Sequence, residues 1–526
     1  MKLIFIRHGE SIGNTKQGFI SGQSDTQGLS EKGKIQIIKA SWELRSMRTD
    51  KLYASPVVRA QETATILARY AGVPIKTLPW LSELHHGVFE GHFWWEVIPN
   101  IPTPWRSRRE DFRTPYPQGE SMRDVLKRTS QGLSEWLSKH AGMDGVFTFV
   151  AHQAVITCMR YYVEHGGFDA VQTSEQEAHF LKYLHEKKLD NGGFMIVTPH
   201  QNGASFEVKE MPPSESVKPS KQSVVFYAQG ILSLSAPPDA ERMETASTNA
   251  VYKLSTPQEY MLKVVKSDDA EMFRRQIMLY EYLHAQKIQA PHIISHDNTH
   301  AFFPYPVLLQ DYIQGTELKQ CLIQHPSEVR GLLTSIFHHL DTIHAIPVDE
   351  VKSFWFPPVS EEFLDWRTYM KCNIDKTLHV LKENERTSPF FPVLFDKLVS
   401  LKDYIHEGRY RMEPIHGDVG AGNIIVGHEN GCKLLRIIDY EWARVGDGLW
   451  DFAYLWGWLE RDNEEAASLW GDILRNHLPS QLDQIEWFRI LFHAWTVRDM
   501  LEYPDHVIRL RRGAKSHKIL ERFLLP

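Results

Sequence analysis

The sequence predicts an α/β chain of two domains, and three observations carry that prediction. First, 526 residues are too many for one core, because single cores stop growing near roughly 250–300 residues. Second, the first half alternates short apolar runs with helical patterns, as open parallel sheets do. Third, a Pro- and Ser-rich passage, MPPSESVKPSKQ at residues 211–222, separates that half from a strand-rich stretch followed by long helical segments.

Composition narrows the function classes. The chain is 42% hydrophobic and 24% charged, an ordinary globular balance. A net charge of −7 gives no basic footprint for nucleic acid, so no nucleic-acid partner is expected. The four cysteines, Cys158, Cys321, Cys372 and Cys432, are far apart and form no C-x-x-C pair. That argues against a zinc or disulfide framework and fits a reducing cytoplasm. The apolar run after Lys2 is too short for a signal peptide. No run reaches about 18 apolar residues, so no membrane span is expected.

The first half is organised around Arg7-His8-Gly9-Glu10-Ser11, directly behind the apolar strand KLIFI at residues 2–6. Ligands of open α/β sheets bind at the carboxyl ends of their strands. GLSEKGK at residues 28–34 resembles a P-loop, but it lacks the final Ser/Thr and no strand leads into it. Instead, Ser30, Gly33 and the spaced Ile35, Ile38 and Trp42 mark a helix start and its buried stripe. KLYAS at residues 51–55 is a second strand, with Arg59 in the helical turn after it. Glu83 lies in a loop, and residues 93–119 read as an irregular insertion. GVFTFVAH at residues 145–152 is a third strand, ending on His152.

Three strands thus deliver Arg7 with His8, Arg59, and His152 to one sheet edge. A neutral imidazole can attack phosphorus while guanidinium groups hold the phosphate oxygens. Glu83 is placed to protonate the leaving oxygen, given a raised pKa. No metal or other cofactor is expected in this half. RHGES, GLSxxG, ASPVVRAQETA, SELHHGVFEG, YPQGES and AHQAVI together resemble the histidine phosphatase superfamily, its phosphoglycerate-mutase-like branch, over about residues 1–200. The resemblance implies a three-layer α/β/α fold. It makes His8 the phosphohistidine, Arg7, Arg59 and His152 the phosphate pocket, Glu83 the proton donor, and Asn14 and Gly22 part of the lining. GES with HQAV is especially similar to fructose-2,6-bisphosphatase domains, but substrate choice rests on variable loops. His85, His86, His92, Trp94 and Trp95 face the substrate or pack as loop cover.

LDNGGFMIVTP at residues 189–199 reads as the closing strand. The expected division is a phosphatase domain over 1–205, a linker over 206–222 and a second domain over 223–526, with lobes 223–312 and 313–526. VVFYA at residues 224–228 reads as a strand. ASTNAVYKLS and EYMLKVVK pair around Pro257, and Lys263 lies inside the second of them. A lysine within an apolar strand needs a partner for its ammonium. A helix follows over 269–286, then a strand, a turn at Gly315, and three long helices.

The chemical core of the second half is IHGDVGAGNII followed by LLRIIDYEWA. Asp418 and Asn423 are five residues apart, and Asp439 follows sixteen further on. One carboxylate to orient a hydroxyl, with an Asn and an Asp for magnesium and a lysine for the nucleotide phosphates, equips a chain for phosphoryl transfer. These motifs resemble the aminoglycoside phosphotransferase and choline kinase superfamily, a bilobal protein-kinase-like (α+β) fold, over about residues 223–526. The resemblance implies ATP and Mg2+ as cofactors. It makes Asp418 the base, Asn423 and Asp439 the magnesium ligands, Lys263 the phosphate-holding lysine, and Ser247, Thr248 and Asn249 the nucleotide-covering loop. One position departs: Gln276 stands where the lysine's helix glutamate is expected, with Glu271 and Glu281 as substitutes. His338, His339 and His344 read as packing or surface residues. Between Glu441 and Glu465 stand seven acidic and two basic residues, either a site for a cationic substrate or a solvated helix face.

The expectation is a bifunctional cytoplasmic enzyme acting on a phosphorylated small molecule and a small-molecule alcohol, with no membrane partner. The alternative is a histidine phosphatase whose kinase-like module is catalytically silent and only senses nucleotide or binds a partner.

Overall fold

The computed structural model describes residues 1–525 except 25, 98–110, 200–205, 212–215, 244–248, 266–269, 355–364, 384–389, 409 and 430–431. Much of the proposed insertion over 93–119, and Ser247 and Thr248, lie outside the described residues. The chain divides into two compact units. One is Met1–Lys266 with Ser295–Leu308, and the other is Ser267–Ile294 with Leu309–Pro526. No described helix is long and apolar enough to cross a membrane.

The first unit is built on a six-stranded sheet. Its strands are β1 (Lys2–Arg7), β2 (Lys51–Ala54), β3 (Ile75–Thr77), β4 (Val146–Ala151), β5 (Phe194–Pro199) and β6 (Phe206–Met211). Their order is β3-β2-β4-β1-β5-β6. β1 and β2 both pair parallel with β4, and β5 and β6 close the edge antiparallel. The strands ending in Arg7, Ala54 and Ala151 are therefore neighbours, and their carboxyl ends share one edge. Alternation along the strands sends Leu3, Phe5, Phe147 and Phe149 into one core. That core also takes buried residues of α3 (Met122–Lys139), α4 (Gln153–His165) and α5 (Ser174–Glu186). Ile4, Ile6 and Val150 are buried on the opposite face, the side left to α1 (Glu31–Leu44) and α2 (Val58–Ala71). This is a three-layer α/β/α arrangement.

Two sequence readings change beyond β5. Residues 206–211, assigned to the linker, form the edge strand β6. VVFYA is not a strand but the middle of α6 (Lys221–Ile231), capped by a reciprocal Ser220–Ser223 box. Val224, Tyr227 and Ala228 recur at helical spacing and are buried, a period that a five-residue apolar run does not reveal. Within this unit α6 packs on the phosphatase-like helices. Phe226 stacks on Tyr70 at 4.0 Å and meets Trp42 edge-on at 5.1 Å. Tyr70 Oη donates to Phe226 O at 2.8 Å, and Arg69 Nη1 donates to Gly230 O at 3.2 Å. β7 (Asp239–Arg242), β8 (Ala250–Ser255) and β9 (Tyr260–Val264) follow as an antiparallel meander. β10 (Ile293–Asp297) and β11 (Val307–Asp311) complete that sheet in the order β10-β11-β9-β8-β7.

The second unit is largely helical. It contains α7 (Ala270–Ala285), α8 (Val329–His344), α9 (Trp366–Glu383), α10 (Phe391–Glu407), α11 (Leu449–Asp462), α12 (Glu464–His477), α13 (Leu482–Glu502) and α14 (Val507–Leu524). Short sheets support its central loop. β12 (Thr316–Glu317) pairs with the hairpin of β14 (Ile424–Glu429) and β15 (Cys432–Ile437). β13 (Met412–Ile415) pairs antiparallel with β16 (Arg444–Asp447). The mixed sheets and helices of residues 223–526 are the α+β content that the sequence predicts.

Candidate active sites

The turn after β1 is fixed by glycines. A Cβ on Gly33 would lie 2.0 Å from Glu10 O, and one on Gly9 would lie 2.4 Å from Gly33 O. Only two glycines let the start of α1 approach this closely, which is why RHGES and GLSxxG occur together. Ser30 caps α1 and donates its hydroxyl to Glu10 Oε1 at 2.9 Å. Asn14 accepts the Ser11 amide and hydroxyl at 3.1 and 3.0 Å and the Asn191 amide at 3.2 Å, so it holds the turn.

His8 is buried, and its tautomer follows from its partners. Arg59 Nε donates to His8 Nε2 at 3.1 Å, so Nε2 carries the lone pair. Nδ1–H then donates to Gly9 O at 2.7 Å. Burial, reinforced by Arg59 and Arg7, holds the imidazole's pKa well below its ordinary value. Arg59 Nη2 donates to Gly22 O at 2.6 Å. Gly22 has φ +45°, and a Cβ there would meet the Glu90 carboxylate at 2.0 Å. His152 lies against His8 with ring centroids 5.1 Å apart, and its Nε2 meets Ser55 Oγ at 2.8 Å. Burial and Arg59 keep His152 neutral as well. Arg7 Nη1 donates to Leu189 O at 2.7 Å. Arg7 Nε and His152 Nδ1 are buried with no hydrogen-bond partner among the described residues, as donors awaiting an anion would be.

Glu83 has its pKa raised by burial, against the Leu84 amide at 2.9 Å and against Arg59, Arg7 and Arg128. Its loop is clamped from α3. Arg128 Nη2 donates to Glu83 O at 3.0 Å, while Arg128 Nε pairs with Glu120 Oε1 at 2.7 Å. Glu120 Oε2 in turn accepts the His85 amide at 3.1 Å. Gln23 Nε2 adds a bond to Glu83 O at 2.7 Å. Ser55, Gln23 and Arg128 escaped sequence reasoning, because their roles depend on partners remote in the chain. Glu120, inside YPQGES, carried the best available signal. His86 is half-buried against Tyr116, with its pKa pushed down to about 4 by its enclosure. Trp95 is 58% exposed and stacks on Phe93, so these aromatic residues divide between packing and surface.

In the second unit, β13 leads into Gly417, whose φ is +82° and whose Cβ would strike Trp442 O at 2.3 Å. The next residue is Asp418. Tyr454 Oη donates to Asp418 Oδ1 at 2.6 Å, and Asn423 Nδ2 donates to Oδ2 at 3.2 Å. Burial raises the Asp418 pKa, and the Tyr454 hydroxyl leads the groups that oppose it. The buried Asp451 holds the loop backbone, accepting His416 N at 2.8 Å and Gly417 N at 2.9 Å. His344 Nε2 meets Asp451 Oδ2 at 3.1 Å. His344 is thus a packing residue that also positions the loop through Asp451. Asp439, two residues past the end of β15, lies in the left-handed region, φ 66° and ψ 61°, a strained conformation for a non-glycine that marks functional positions. Asn423 O accepts the Ile438 amide at 2.8 Å, tying the turns that carry Asn423 and Asp439 together.

The acidic stretch from Glu441 to Glu465 divides: Asp462, Glu464 and Glu465 are exposed, as a solvated helix face would be, while other members are engaged inside the fold. Asp447 and Asp451 are buried, and Asp447 accepts Tyr404 Oη at 2.9 Å. Glu460 pairs with Arg489 and His493, Asp462 with Lys515 and Glu464 with Arg522. Gln276 is buried on α7, its Nε2 unpartnered among the described residues, and it lines a small cavity with Tyr440 and Glu441. Glu271 binds Arg274 and Arg275. Lys263 is buried on β9 opposite Val251, and Asn249 precedes β8, both in the first unit.

Residues 3–197 match the family described as Histidine phosphatase superfamily (branch 1), and residues 240–485 match the Phosphotransferase enzyme family. A probable phosphoglycerate mutase GpmB of Yersinia enterocolitica is 30% identical over 163 residues, 30% of this chain and 73% of that protein. The chain belongs to the histidine phosphatase superfamily, and it carries a phosphotransferase-family region behind that domain. The 6-phosphofructo-2-kinase/fructose-2,6-bisphosphatase of Arabidopsis thaliana is 30% identical over 165 residues. The match spans 30% of this chain but only 21% of that protein's length. The mycobacterial glucosyl-3-phosphoglycerate phosphatase structure matches 40% of this chain and 99% of its own at 22% identity, with a TM-score of 0.34.

Proposed function

We propose that the chain is a bifunctional enzyme, hydrolysing a phosphomonoester through a phosphohistidine and phosphorylating a small-molecule alcohol from ATP. The single observation that supports the first activity most is the fixed tautomer of His8, with Nε2 unprotonated beside Arg59. Nε2 attacks phosphorus while Arg7, Arg59 and His152 stabilise the phosphoryl oxygens. The ester oxygen leaves with the Glu83 proton. Water then attacks the phosphohistidine, Glu83 takes its proton, and phosphate and neutral His8 are released. This sequence needs an alkali-stable, acid-labile phosphoenzyme in the wild-type chain. A His8→Ala chain that still forms it, or still turns over, overturns the reading.

For the second activity, Asp418 receives the acceptor hydroxyl's hydrogen bond and its proton. The oxygen donors of Asn423 and Asp439 fit a hard divalent ion, and these two residues would hold Mg2+. When bound, that ion supplies neutralising charge to the nucleotide phosphates. By the family resemblance, Lys263 and Asn249 are the nucleotide-side residues of this proposal. The test uses the His8→Ala chain with ATP, magnesium and a metabolite extract, read by mass spectrometry. A new phosphorylated species absent with Asp418→Ala is the expected result. ATP consumption that Asp418→Ala leaves unchanged would sink it.

A second reading, a silent nucleotide-binding module, is favoured by one residue. Gln276 stands buried and neutral where the family resemblance calls for a carboxylate. ATP binding without any turnover by the His8→Ala chain would select that reading.

A further inference from the structure

α11 carries a stripe of side chains at positions 451, 454, 458 and 461. The spacing of three, four and three keeps them on one face of the helix. Asp451 holds the loop backbone and Tyr454 holds the Asp418 carboxylate. Trp458 closes on the same loop: a Cβ on Gly420 would lie 2.8 Å from Trp458 Nε1. Arg461 continues the stripe, its guanidinium 5.1 Å from the Trp458 ring centroid. From α14, Arg512 reaches the same indole at 5.9 Å. Tyr454 and Trp458 are partly exposed, so the middle of the stripe is accessible between the buried Asp451 and Arg461.

The charge on this wall is only partly compensated: the Arg461 guanidinium lies 4.8 Å from the Phe492 ring centroid, and Asp462 is the acid that offsets it. Arg461 is 8% exposed, and its Nε is buried with no hydrogen-bond partner among the described residues. Asp462, the adjacent acid, accepts Lys515 Nζ at 3.0 Å. Neither Arg461 nor Arg512 forms an ion pair among the described residues. Burial first, and then the like charge of Arg512, push the Arg461 pKa down to about 10 against Tyr454 and Asp462, so it stays cationic at neutral pH. Two neighbouring guanidinium groups, one of them buried, are held by aromatic faces and a single offsetting acid, so a ligand that brings negative charge would relieve their repulsion.

We infer that Arg461 and Arg512 bind a phosphate group carried by the acceptor alcohol, with Trp458 as the wall between that group and Asp418. The inference rests on the kinase reading for the word acceptor, while the anion site itself stands on the side chains. Seven residues separate Tyr454 from Arg461, about 10 Å along a helix. The acceptor is then a small phosphorylated polyol, long enough to place a hydroxyl at Asp418 and its phosphate at Arg461. This is opposite in charge to the cationic substrate that the acidic stretch suggested.

The test is fluorine NMR on the full-length chain labelled with 5-fluorotryptophan, with the Trp458 resonance assigned by Trp458→Phe. Titration with inorganic phosphate is expected to shift that resonance to saturation. Arg512→Gln, at an exposed position that does not threaten folding, is expected to weaken the response about tenfold. Arg461→Gln should abolish it, and Arg461→Lys should restore part of it. A Trp458 resonance that phosphate leaves unmoved overturns the inference, as does an Arg512→Gln chain that titrates like wild type. A shift produced by Mg-ATP alone and lost in Arg512→Gln would assign the arginines to the nucleotide, and that too overturns it. A phosphate response without turnover of any phosphorylated alcohol leaves the anion site standing and removes the kinase reading instead.

Discussion

The two candidate sites put burial to opposite uses. Around His8, burial favours the protonation states the chemistry needs. It keeps the imidazole neutral and nucleophilic, and it raises Glu83 toward the acid form that a leaving oxygen requires. Around Asp418, burial opposes the chemistry, because it raises the pKa of a carboxylate that must act as a base. There the hydroxyl of Tyr454 and the amide of Asn423 counteract the desolvation. The lesson is that the first site depends on staying enclosed, and the second on keeping its hydrogen-bond donors.

The largest expected effect tests whether the sites are independent. His8→Ala should reduce phosphatase turnover by at least about 10⁴-fold while leaving ATP-dependent activity unchanged, measured side by side on one preparation. Loss of both would end the comparison. Next, Glu83→Gln should lower phosphatase kcat by about 10²–10⁴-fold and remove the alkaline limb of its pH profile. A group with a raised pKa stays protonated to higher pH, so wild-type activity should fall only as pH rises through that pKa. An unchanged alkaline limb in Glu83→Gln would assign it to another group.

A smaller effect concerns the donors at Asp418. Tyr454→Phe removes a hydrogen bond to the ionised carboxylate, so the Asp418 pKa should rise further. The acid limb of the kinase profile should then move to higher pH, with about tenfold loss near its foot. An unmoved limb would show that Tyr454 only packs. The smallest effect is on stability. His8, His86 and His152 all have pKa values depressed by burial, so the unfolded chain binds more protons than the folded one below about pH 6.5. Folding stability of the first unit should therefore fall as pH drops below that value, read as the denaturant midpoint against pH. A His152→Asn chain should show a shallower dependence.

The sequence made the first site legible because its groups stand at strand ends. The parallel pairing of β1, β2 and β4 brings Arg7, His8, Arg59 and His152 together with no further information. It could not show Ser55, Gln23 or Arg128, whose roles come from folding distant segments against one another. The HGDxxxxN spacing placed Asp418 and Asn423 on one loop, a local fact. Asp451 and His344 were not legible, since a buried carboxylate holding backbone amides leaves the same trace in a sequence as a surface one. The acidic stretch was legible only in its exposed part for the same reason: charge counts carry no partners for Asp447, Asp451 and Glu460. α6 reads as a strand from sequence because its apolar run covers little more than one helical turn, too short to show the period.

The aromatic seat of α6 changes how the protein can be dissected. Tyr70 and Trp42 belong to the helices that flank the phosphatase sheet, yet both are covered by Phe226, beyond the apparent tether. A fragment ending near residue 205 would expose those two rings to solvent. Such a fragment is expected to aggregate, whereas one ending past residue 231 would retain its cover. The borrowed helix means that the catalytic module and the segment behind it are not interchangeable parts, and a shuffled partner would have to bring its own Phe226.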